Sequence, residues 1–269
     1  MDFSGTVESV GTGVSLSIGQ RVAGNCRGAL SQFALASAAD LAPVPAGVSH
    51  AEAASLPTAG LTSLQALRRG GVHEGSNVLV FGASGGCGSL GVQIAKALGA
   101  ARVVGVCSSA NAAAVRALGA DVAATYDGGD EALEKQLRDS GAAPFDCAYD
   151  TVTSPDAADR DYEPLSRRVL KPGGLHVAIN GSGGDWTRAL LGGLVGLSCA
   201  RRNHLLLLKQ SSGEQMGELL QMVTAGKLKP QIAATFPFTE AGVSEAFAQL
   251  HGRRTKVWLA LLLSHAPLV

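Results

Sequence analysis

The sequence lacks an excess of charge of either sign, because 22 Lys and Arg residues balance 22 Asp and Glu residues. No stretch of the chain concentrates basic residues on one face. The long-range positive field that attracts nucleic acid or an anionic membrane surface is therefore missing. The composition argues against nucleic acid as a partner and favours a small molecule.

The sequence also lacks the pairings of cysteine and histidine that hold metals or form disulfides. Its five cysteines stand singly, without a CxxC pair, at Cys26, Cys87, Cys107, Cys147 and Cys199. The six histidines show no paired ligand spacing. A disulfide framework and a structural zinc site are thus disfavoured, and we expect no metal and a reduced, intracellular setting.

No hydrophobic run is long enough to cross a membrane. The longest apolar runs, residues 189–200 and 257–263, fall well short of the roughly 20 residues that a spanning helix needs. The N-terminal residues alternate as a strand does and carry no charged segment typical of a targeting peptide. We expect no membrane span and, by default, a cytoplasmic location. An organelle stays open as an alternative if a presequence precedes Met1.

What is present is a change of pattern near residue 49. Before it, strand-like stretches separated by glycine include residues 20–23, 30–36 and 41–44. Ser49 and Glu52 then form a capping-box pattern, which predicts the start of a helix. From there on, short stretches rich in β-branched residues alternate with segments of helical character.

This alternation predicts a doubly wound α/β domain with a parallel sheet of six strands. The predicted strands are residues 77–81, 102–107, 122–125, 145–150, 175–179 and 205–208, and the predicted helices between them are residues 87–98, 110–118, 131–139, 156–170 and 186–197. We predict a dinucleotide-binding domain at residues 58–227. It is inserted into a β-rich domain formed by residues 1–57 and 228–269.

A glycine-rich turn follows the first predicted strand of this domain. Gly82, Gly85 and Gly88 recur at three-residue spacing between strand and helix. A backbone without Cβ atoms at a helix N-terminus is typical of a site for a pyrophosphate group. The pattern G-x-G-x-x-G also matches at Gly86, Gly88 and Gly91, but that frame would place the tight turn inside the helix, so we favour the earlier one. A turn that serves packing alone is the alternative.

The end of the second predicted strand bears on the choice of nucleotide. An NAD site typically places Asp or Glu there, on the ribose 2′-hydroxyl. This strand instead ends in Cys107, Ser108 and Ser109, and the nearest base is Arg116 in the following helix. Without an anion to repel a 2′-phosphate, NADP(H) is favoured over NAD(H).

Several segments resemble the zinc-independent quinone oxidoreductase (zeta-crystallin-like) branch of the medium-chain dehydrogenase/reductases. In the family's order they are residues 2–14, 19–24, 51–67, 78–100, 170–174, 225–230 and 255–259, of which VLVFGASGGCGSLGVQIAKALGA at residues 78–100 is the most specific. The resemblance implies a Rossmann domain inserted into a GroES-like substrate domain. It also implies that Met1 falls well inside that substrate domain, so that the chain is N-terminally truncated relative to the family.

The resemblance also implies which residues bind the cofactor. It assigns pyrophosphate contacts to Ser84, Gly85, Gly86 and Cys87, contacts with the adenosine and its 2′-phosphate to Ser108, Ser109, Asn111 and Tyr126, and contacts near the nicotinamide to Thr62, Thr151, Val152 and Asn180. No side chain stands out as a proton donor, so the catalytic residue stays unassigned. Where the family usually has Asp-Thr-Val-Gly, this chain has Thr153 in the place of the glycine.

The function that the resemblance implies is hydride transfer from NADPH to a quinone or an α,β-unsaturated carbonyl. Such acceptors delocalise the incoming charge onto oxygen, so the protein chiefly orients two flat molecules and excludes water, and a Lewis-acid metal is dispensable. The alternative is an NADP(H)-binding module without turnover that acts as a structural or redox-sensing partner. A homodimer formed by pairing of edge strands also stays open.

Overall fold

The computed structural model describes residues 1–153, 160–180, 204–206, 209–251 and 258–262. The chain divides into two units. One unit comprises Met1–Leu61 together with Gln210–Val269, and the other comprises Thr62–Lys209. The second unit is therefore inserted into the first along the sequence.

The N-terminal part of the first unit is a small antiparallel sheet in the order β1-β2-β3. Its strands are β1 (Asp2–Thr6), β2 (Arg21–Asn25) and β3 (Leu41–Pro43), and helices α1 (His50–Ala54) and α2 (Ala59–Arg69) follow them. The predicted capping box begins α1. The Ser49 hydroxyl accepts a hydrogen bond from the Glu52 N–H at 3.2 Å, and the Glu52 carboxylate accepts one from the Ser49 N–H at 2.9 Å. The hydrogen bonds that the Glu52 carboxylate accepts from the Ser49 hydroxyl and the Ser49 N–H lower the pKa of Glu52.

The predicted strand at residues 30–36 is wrong, because these residues form bends and irregular structure. The Ser31 hydroxyl lies within hydrogen-bond distance of the carbonyl oxygens of both Gly28 and Phe33, which bends the segment around it. Phe33 and Leu35 are 64% and 93% exposed, so the apolar alternation here does not mark a buried face.

A parallel sheet forms the inserted unit, with strand order β6-β5-β4-β7-β8-β9. Its strands are β4 (Asn77–Phe81), β5 (Arg102–Cys107), β6 (Val122–Thr125), β7 (Phe145–Asp150), β8 (Leu170–Ala178) and the short β9 (His204–Leu206), and the helices between them are α3 (Gly86–Ala97), α4 (Ala112–Ala117), α5 (Asp130–Asp139) and α6 (Glu163–Val169). The prediction of an α/β unit with a parallel sheet is confirmed. The bounds of the first four strands agree with those predicted.

Strand β4 lies at the centre of the core. Its residues Val78, Leu79, Val80 and Phe81 are fully buried, which means that both faces of the strand are covered. On one face, Leu79 and Phe81 belong to a hydrophobic cluster that also takes in residues of α5 and α6. The near-continuous apolar sequence of this strand reflects burial on both sides.

The later part of the unit departs from its predicted bounds. Helix α6 ends at Val169, because the chain enters β8 at Leu170, earlier than the predicted strand start at residue 175. The predicted helix at residues 186–197 lies outside the described residues, as do residues 156–159 and 207–208 of other predicted elements. Among the described helices, none combines the length and the apolar character that crossing a membrane requires.

The strand order fixes where a ligand would lie in the inserted unit. From β4 the chain builds β5 and then β6 on one side, and it returns to β7 on the other side of β4. Where the order reverses, the connections leave β4 and β7 in opposite directions and open a crevice at the carboxyl ends of these strands. The loops after Phe81 and Asp150 border this crevice.

The C-terminal part of the chain returns to the first unit through α7 (Gly213–Thr224), β10 (Ile232–Pro237), α8 (Glu240–His251) and β11 (Trp258–Leu262). Contacts place the boundary at Lys209, earlier than the predicted boundary after residue 227. The physical reason is the packing of α7, since a Cβ atom on Gly213 would lie 2.3 Å from the carbonyl oxygen of Leu41 in β3. The sequence of α7 predicts a helix, but it does not indicate that the helix packs against β3.

Candidate functional site

The turn after β4 brings the ends of two strands together. Gly82 has a φ of +73°, and a Cβ atom there would lie 2.5 Å from Thr151 Oγ1 and 2.7 Å from Val152 Cγ2. The Thr151 hydroxyl donates a hydrogen bond to the Phe81 carbonyl at 2.8 Å. Only glycine allows both this backbone conformation and this close approach. Gly82 therefore meets Thr151 and Val152, the two residues assigned to the nicotinamide end, at the crevice.

The second and third glycines shape the start of α3. Gly85 occupies the N-cap position, and its carbonyl accepts a hydrogen bond from the Ser89 N–H at 2.8 Å. A Cβ atom on Gly88 would lie 2.1 Å from the Gly82 carbonyl oxygen, so the helix packs directly on the turn. The 12-residue helix α3 thus begins directly after the turn, and the N-terminus of a helix is a place where an anion is favoured.

The frame of Gly82, Gly85 and Gly88 thus describes the turn. The alternative frame lies entirely within α3, since it consists of Gly86, Gly88 and Gly91. Gly91 has a packing role, because a Cβ atom there would lie 2.7 Å from the ring of Tyr149.

The loop after β5 is joined to the glycine turn by Asn111. Its side-chain amide donates hydrogen bonds to the Ser108 hydroxyl at 2.8 Å and to the Ser84 hydroxyl at 3.4 Å. These three residues were assigned to the pyrophosphate and the adenosine. The structure places them side by side at the carboxyl ends of β4 and β5.

Asp150, the last residue of β7, organises the loop on the other side of the crevice. Its buried carboxylate accepts hydrogen bonds from the Val152 N–H at 2.8 Å, the Thr153 N–H at 3.0 Å and the Thr153 hydroxyl at 2.5 Å. Burial raises the pKa of Asp150, and these hydrogen bonds oppose the rise. Nε2 of the buried His176 lies 3.5 Å from the same carboxylate.

Thr153 connects this loop to the segment before α6. Its hydroxyl oxygen accepts a hydrogen bond from the Tyr162 N–H at 3.1 Å, and the hydroxyl lies 3.2 Å from the carbonyl oxygen of Arg160. The Tyr162 ring stacks on that of Phe81, with centroids 4.3 Å apart. Thr153 is thus a structural link between two segments that border the crevice.

Beneath the glycine turn lies a buried polar group. The Ser63 hydroxyl donates to the Cys87 carbonyl at 2.9 Å and lies 3.1 Å from the Tyr149 hydroxyl. Burial raises the pKa of Tyr149 well above its ordinary value, so the phenol is neutral at physiological pH. Thr62, assigned to the nicotinamide end, precedes Ser63 in α2 and is 7% exposed.

Comparison with known proteins identifies the family. The family model described as "Zinc-binding dehydrogenase" matches residues 118–256. The chloroplast envelope quinone oxidoreductase homolog of Arabidopsis thaliana is 30% identical over 251 residues, which cover 89% of this chain and 72% of that protein. The crystallised quinone oxidoreductase of Coxiella burnetii is 30% identical with a TM-score of 0.76, covering 96% of this chain and 77% of that one.

The chain is a medium-chain dehydrogenase/reductase of the quinone oxidoreductase type. It is also 31% identical over 240 residues to the mitochondrial NAD(P)H oxidoreductase RTN4IP1 of Homo sapiens, with 83% of this chain covered. The match spans 58% of that human protein, less than two thirds of its length.

In this medium-chain dehydrogenase/reductase an acid lies beside the loop after β5. The Asp127 carboxylate accepts a hydrogen bond from the Ser109 N–H at 2.5 Å. Asp127 follows β6 and is 18 positions from Ser109, so no pattern at the end of β5 indicates it. The end of β5 itself carries no acid, as its sequence shows, but the loop that follows it lies against one.

A cation in the same region was also missed. The Arg160 guanidinium lies 5.5 Å from the centroid of the Tyr126 ring and donates to the Tyr126 carbonyl at 3.4 Å. The two residues are 34 positions apart, so no local pattern could join them. Burial raises the pKa of the Tyr162 phenol, and a hydrogen bond from Arg160 opposes that rise.

Asn180, which is assigned to the nicotinamide end, is exposed and follows the end of β8, at the same sheet edge as the other loops. Among the described residues, no group of three or more His, Cys, Asp and Glu side chains is arranged to hold a metal ion.

We expect the Gly88→Ala variant to lower the free energy of unfolding by about 3 kcal/mol, because its methyl group would overlap the Gly82 backbone. The matched control is Gly217→Ala, also in a helix, where the nearest atom to a Cβ lies 3.9 Å away. The control should be neutral or more stable by about 0.5–1 kcal/mol. Urea unfolding followed by circular dichroism measures both, and equal effects would contradict the close approach of α3 to β4.

We expect Thr153→Val to lower the free energy of unfolding at pH 7 by about 1–3 kcal/mol, since it removes hydrogen bonds to a buried carboxylate and a backbone N–H. Thr125→Val, at a partly buried strand end, is the control, and we expect a change within about 0.5 kcal/mol.

The loss in Thr153→Val should be smaller at pH 4 than at pH 7. Burial already raises the pKa of Asp150, and the Thr153 hydroxyl opposes that rise. Its removal therefore penalises the charged carboxylate, whose population in the folded state falls as the pH drops through the raised pKa of Asp150. A loss that is equal at both pH values, relative to Thr125→Val, would contradict the role of the hydroxyl toward the carboxylate.

Proposed function

We propose that this chain is an NADP(H)-dependent oxidoreductase that transfers hydride to a quinone or an α,β-unsaturated carbonyl without a metal. The observation that carries the proposal is the bare backbone of the glycine turn at the N-terminus of α3, beside the loop after β7. A Cβ atom at Gly82 would overlap Thr151 and Val152, and one at Gly88 would overlap the Gly82 backbone, so the turn packs closely against both α3 and the loop after β7. The names of the relatives, which are NAD(P)H or quinone oxidoreductases, support the same reaction class.

In this proposal the pyrophosphate lies on the amides of the glycine turn. Gly86 and Cys87 form the start of α3, where the helix dipole favours negative charge. The N–H of Gly85 donates to the Gly82 carbonyl at 2.9 Å, so Gly85 contributes by having no side chain that would block a close approach. The Ser84 hydroxyl adds a donor at the same edge. These groups need no charged side chain to bind a dianionic bridge, which is consistent with the near absence of bases along this turn.

The remaining assigned residues divide between the two ends of the cofactor. Ser108, Ser109, Asn111 and Tyr126 border the adenosine end, and Thr62, Thr151, Val152 and Asn180 border the nicotinamide end. The bound nicotinamide supplies the hydride. Asp150 acts through its loop: by fixing the N–H groups of Val152 and Thr153, it holds the apolar Val152 side chain at the crevice, where it can exclude water and orient a flat ring.

The acceptor class follows from the chemistry that these residues can support. A quinone or enone places incoming charge on its own oxygen, so orientation and exclusion of water supply most of what the protein must contribute. We propose that the β-rich unit, Met1–Leu61 with Gln210–Val269, is a GroES-like substrate unit. An organelle location is as consistent with the mitochondrial and chloroplast relatives as a cytoplasmic one.

A module that binds NADP(H) without turnover is the second candidate. In the β-rich unit, Ile18, Phe33 and Leu35 are 68%, 64% and 93% exposed. Apolar side chains at this exposure favour contact with another chain. Purified protein that binds NADPH but oxidises it with no quinone or enone of a broad panel would establish this second function.

The direct test of the proposed site is calorimetric titration of the purified chain with NADPH. We expect saturable binding with one site per chain. Gly85→Ala should weaken binding about tenfold, since its methyl group would stand where the pyrophosphate approaches, equivalent to about 1.4 kcal/mol. The nearest atom to this methyl, the Gly82 carbonyl oxygen, lies at 3.3 Å, so the variant should fold.

The control for this titration is Gly217→Ala, which lies in the β-rich unit and should bind NADPH as the original chain does. Heats that stay at the dilution baseline with both NADPH and NADH would refute the nucleotide site. Equal affinity of the Gly85→Ala and Gly217→Ala variants would refute the assignment of the pyrophosphate to this turn.

A further inference from the structure

The loop after β5 provides no cation for a 2′-phosphate. Arg116, the nearest base in sequence, lies in the last turn of α4. Meanwhile the Asp127 carboxylate lies against the Ser109 N–H, where it would repel a phosphate. Recognition of a 2′-phosphate therefore requires a positive charge from another part of the fold.

Arg160 brings such a charge to this edge of the sheet. Its guanidinium lies over the face of the Tyr126 ring at 5.5 Å and donates to the Tyr126 carbonyl. The Tyr126 N–H in turn donates to the carbonyl of Cys107, the residue before Ser108, at 3.2 Å. Arg160, Tyr126 and the end of β5 thus form one continuous set of contacts.

The backbone of the segment 160–162 is held by the hydroxyl of Thr153. Its carbonyl lies 3.2 Å from the Thr153 hydroxyl, and two residues later the Tyr162 N–H donates to the same hydroxyl. The Tyr162 ring stacks on Phe81 in the core. Because Thr153 is itself bonded to the buried Asp150, the position of Arg160 is tied to the end of β7.

The guanidinium also hydrogen-bonds the Tyr162 phenol, but its ion-pair partner Asp130 is a surface carboxylate that a ligand can displace. Its ion pair with Asp130, at 3.3 Å, joins side chains that are 42% and 71% exposed. Exposed pairs of this kind contribute little, because water and salt screen them. A planar guanidinium matches the oxygens of a phosphate with parallel N–H donors, and a dianionic phosphate competes well with a single exposed carboxylate.

We propose that Arg160 is the residue that recognises the 2′-phosphate of NADP(H), with its guanidinium held over the face of Tyr126. This inference rests on the proposed function and deepens it, since it names the side chain that decides between NADP(H) and NAD(H). Asp127 and Arg160 act in opposite senses at this end of the site. The arginine supplies the attraction that offsets the repulsion by the carboxylate.

The test compares ligands that differ only in the 2′-phosphate. Calorimetry of the purified full chain measures Kd for adenosine 2′,5′-bisphosphate against 5′-AMP, and for NADPH against NADH. The original chain should prefer the ligand with the 2′-phosphate in both pairs. Arg160→Gln should reduce that preference about tenfold or more, as expected for loss of a charge-assisted hydrogen bond, while Kd for NADH changes less than about twofold.

Arg116→Gln is the matched control, because it removes the same charge from an exposed position at the end of α4. It should leave both preferences unchanged, and thermal melting should show both variants folded. Arg160→Lys should retain part of the preference, since it keeps the charge but loses the parallel donors.

The outcomes separate this inference from the proposed function. If NADPH and NADH both bind but Arg160→Gln keeps the preference of the original chain, or if the original chain shows no preference for the 2′-phosphate, the inference is overturned and the nucleotide site stands. If neither nucleotide binds the original chain, the proposed function and the inference fall together.

Discussion

The direct contact of α3 with the end of β4 is the constraint on which the rest of the site depends. Gly88 allows the helix to lie against the Gly82 carbonyl, and Gly82 in turn allows Thr151 and Val152 to lie against the turn. A side chain at either position would push the helix or the neighbouring loop away. The same two glycines thus decide that α3 begins directly after the turn and that the β4 and β7 loops meet there.

A second constraint is the buried carboxylate of Asp150. A charged group in the core is costly unless hydrogen bonds compensate it, and here the compensating donors come from the loop that borders the crevice. Thr153 extends that arrangement to the segment carrying Arg160 and Tyr162. The Thr153 hydroxyl therefore makes a link that a residue without a side-chain hydroxyl could not make.

The loops after β5 and β6 bring together charges of both signs. The Asp127 carboxylate accepts a hydrogen bond from the Ser109 N–H, and Arg160 lies over Tyr126 and pairs with Asp130. In the proposed nucleotide site, the choice between NADP(H) and NAD(H) depends on the difference between attraction and repulsion. The lack of an acid at the end of β5 is therefore weaker support for NADP(H) than the position of Arg160.

Local patterns in the sequence predicted the elements whose cause is local. Strands β4 to β7 had the predicted bounds because burial on both faces favours apolar residues through their centres, and the Ser49–Glu52 capping box formed because its partners are three residues apart. The glycine turn was likewise predicted, since its spacing sets the strand-to-helix turn.

The failures came where a partner lies far along the chain. Residues 30–36 alternate like a strand but form bends and irregular structure, and the close approach of α7 to β3 is not apparent from the sequence of either. Asp127 reaches the loop after β5 from the end of β6, and Arg160 reaches Tyr126 from the segment before α6. The sequence by itself determined the order of elements and the bare turn, because these follow from neighbouring residues. Only the tertiary structure decided which charges surround that turn, because strand order brings together side chains that no sequence spacing relates.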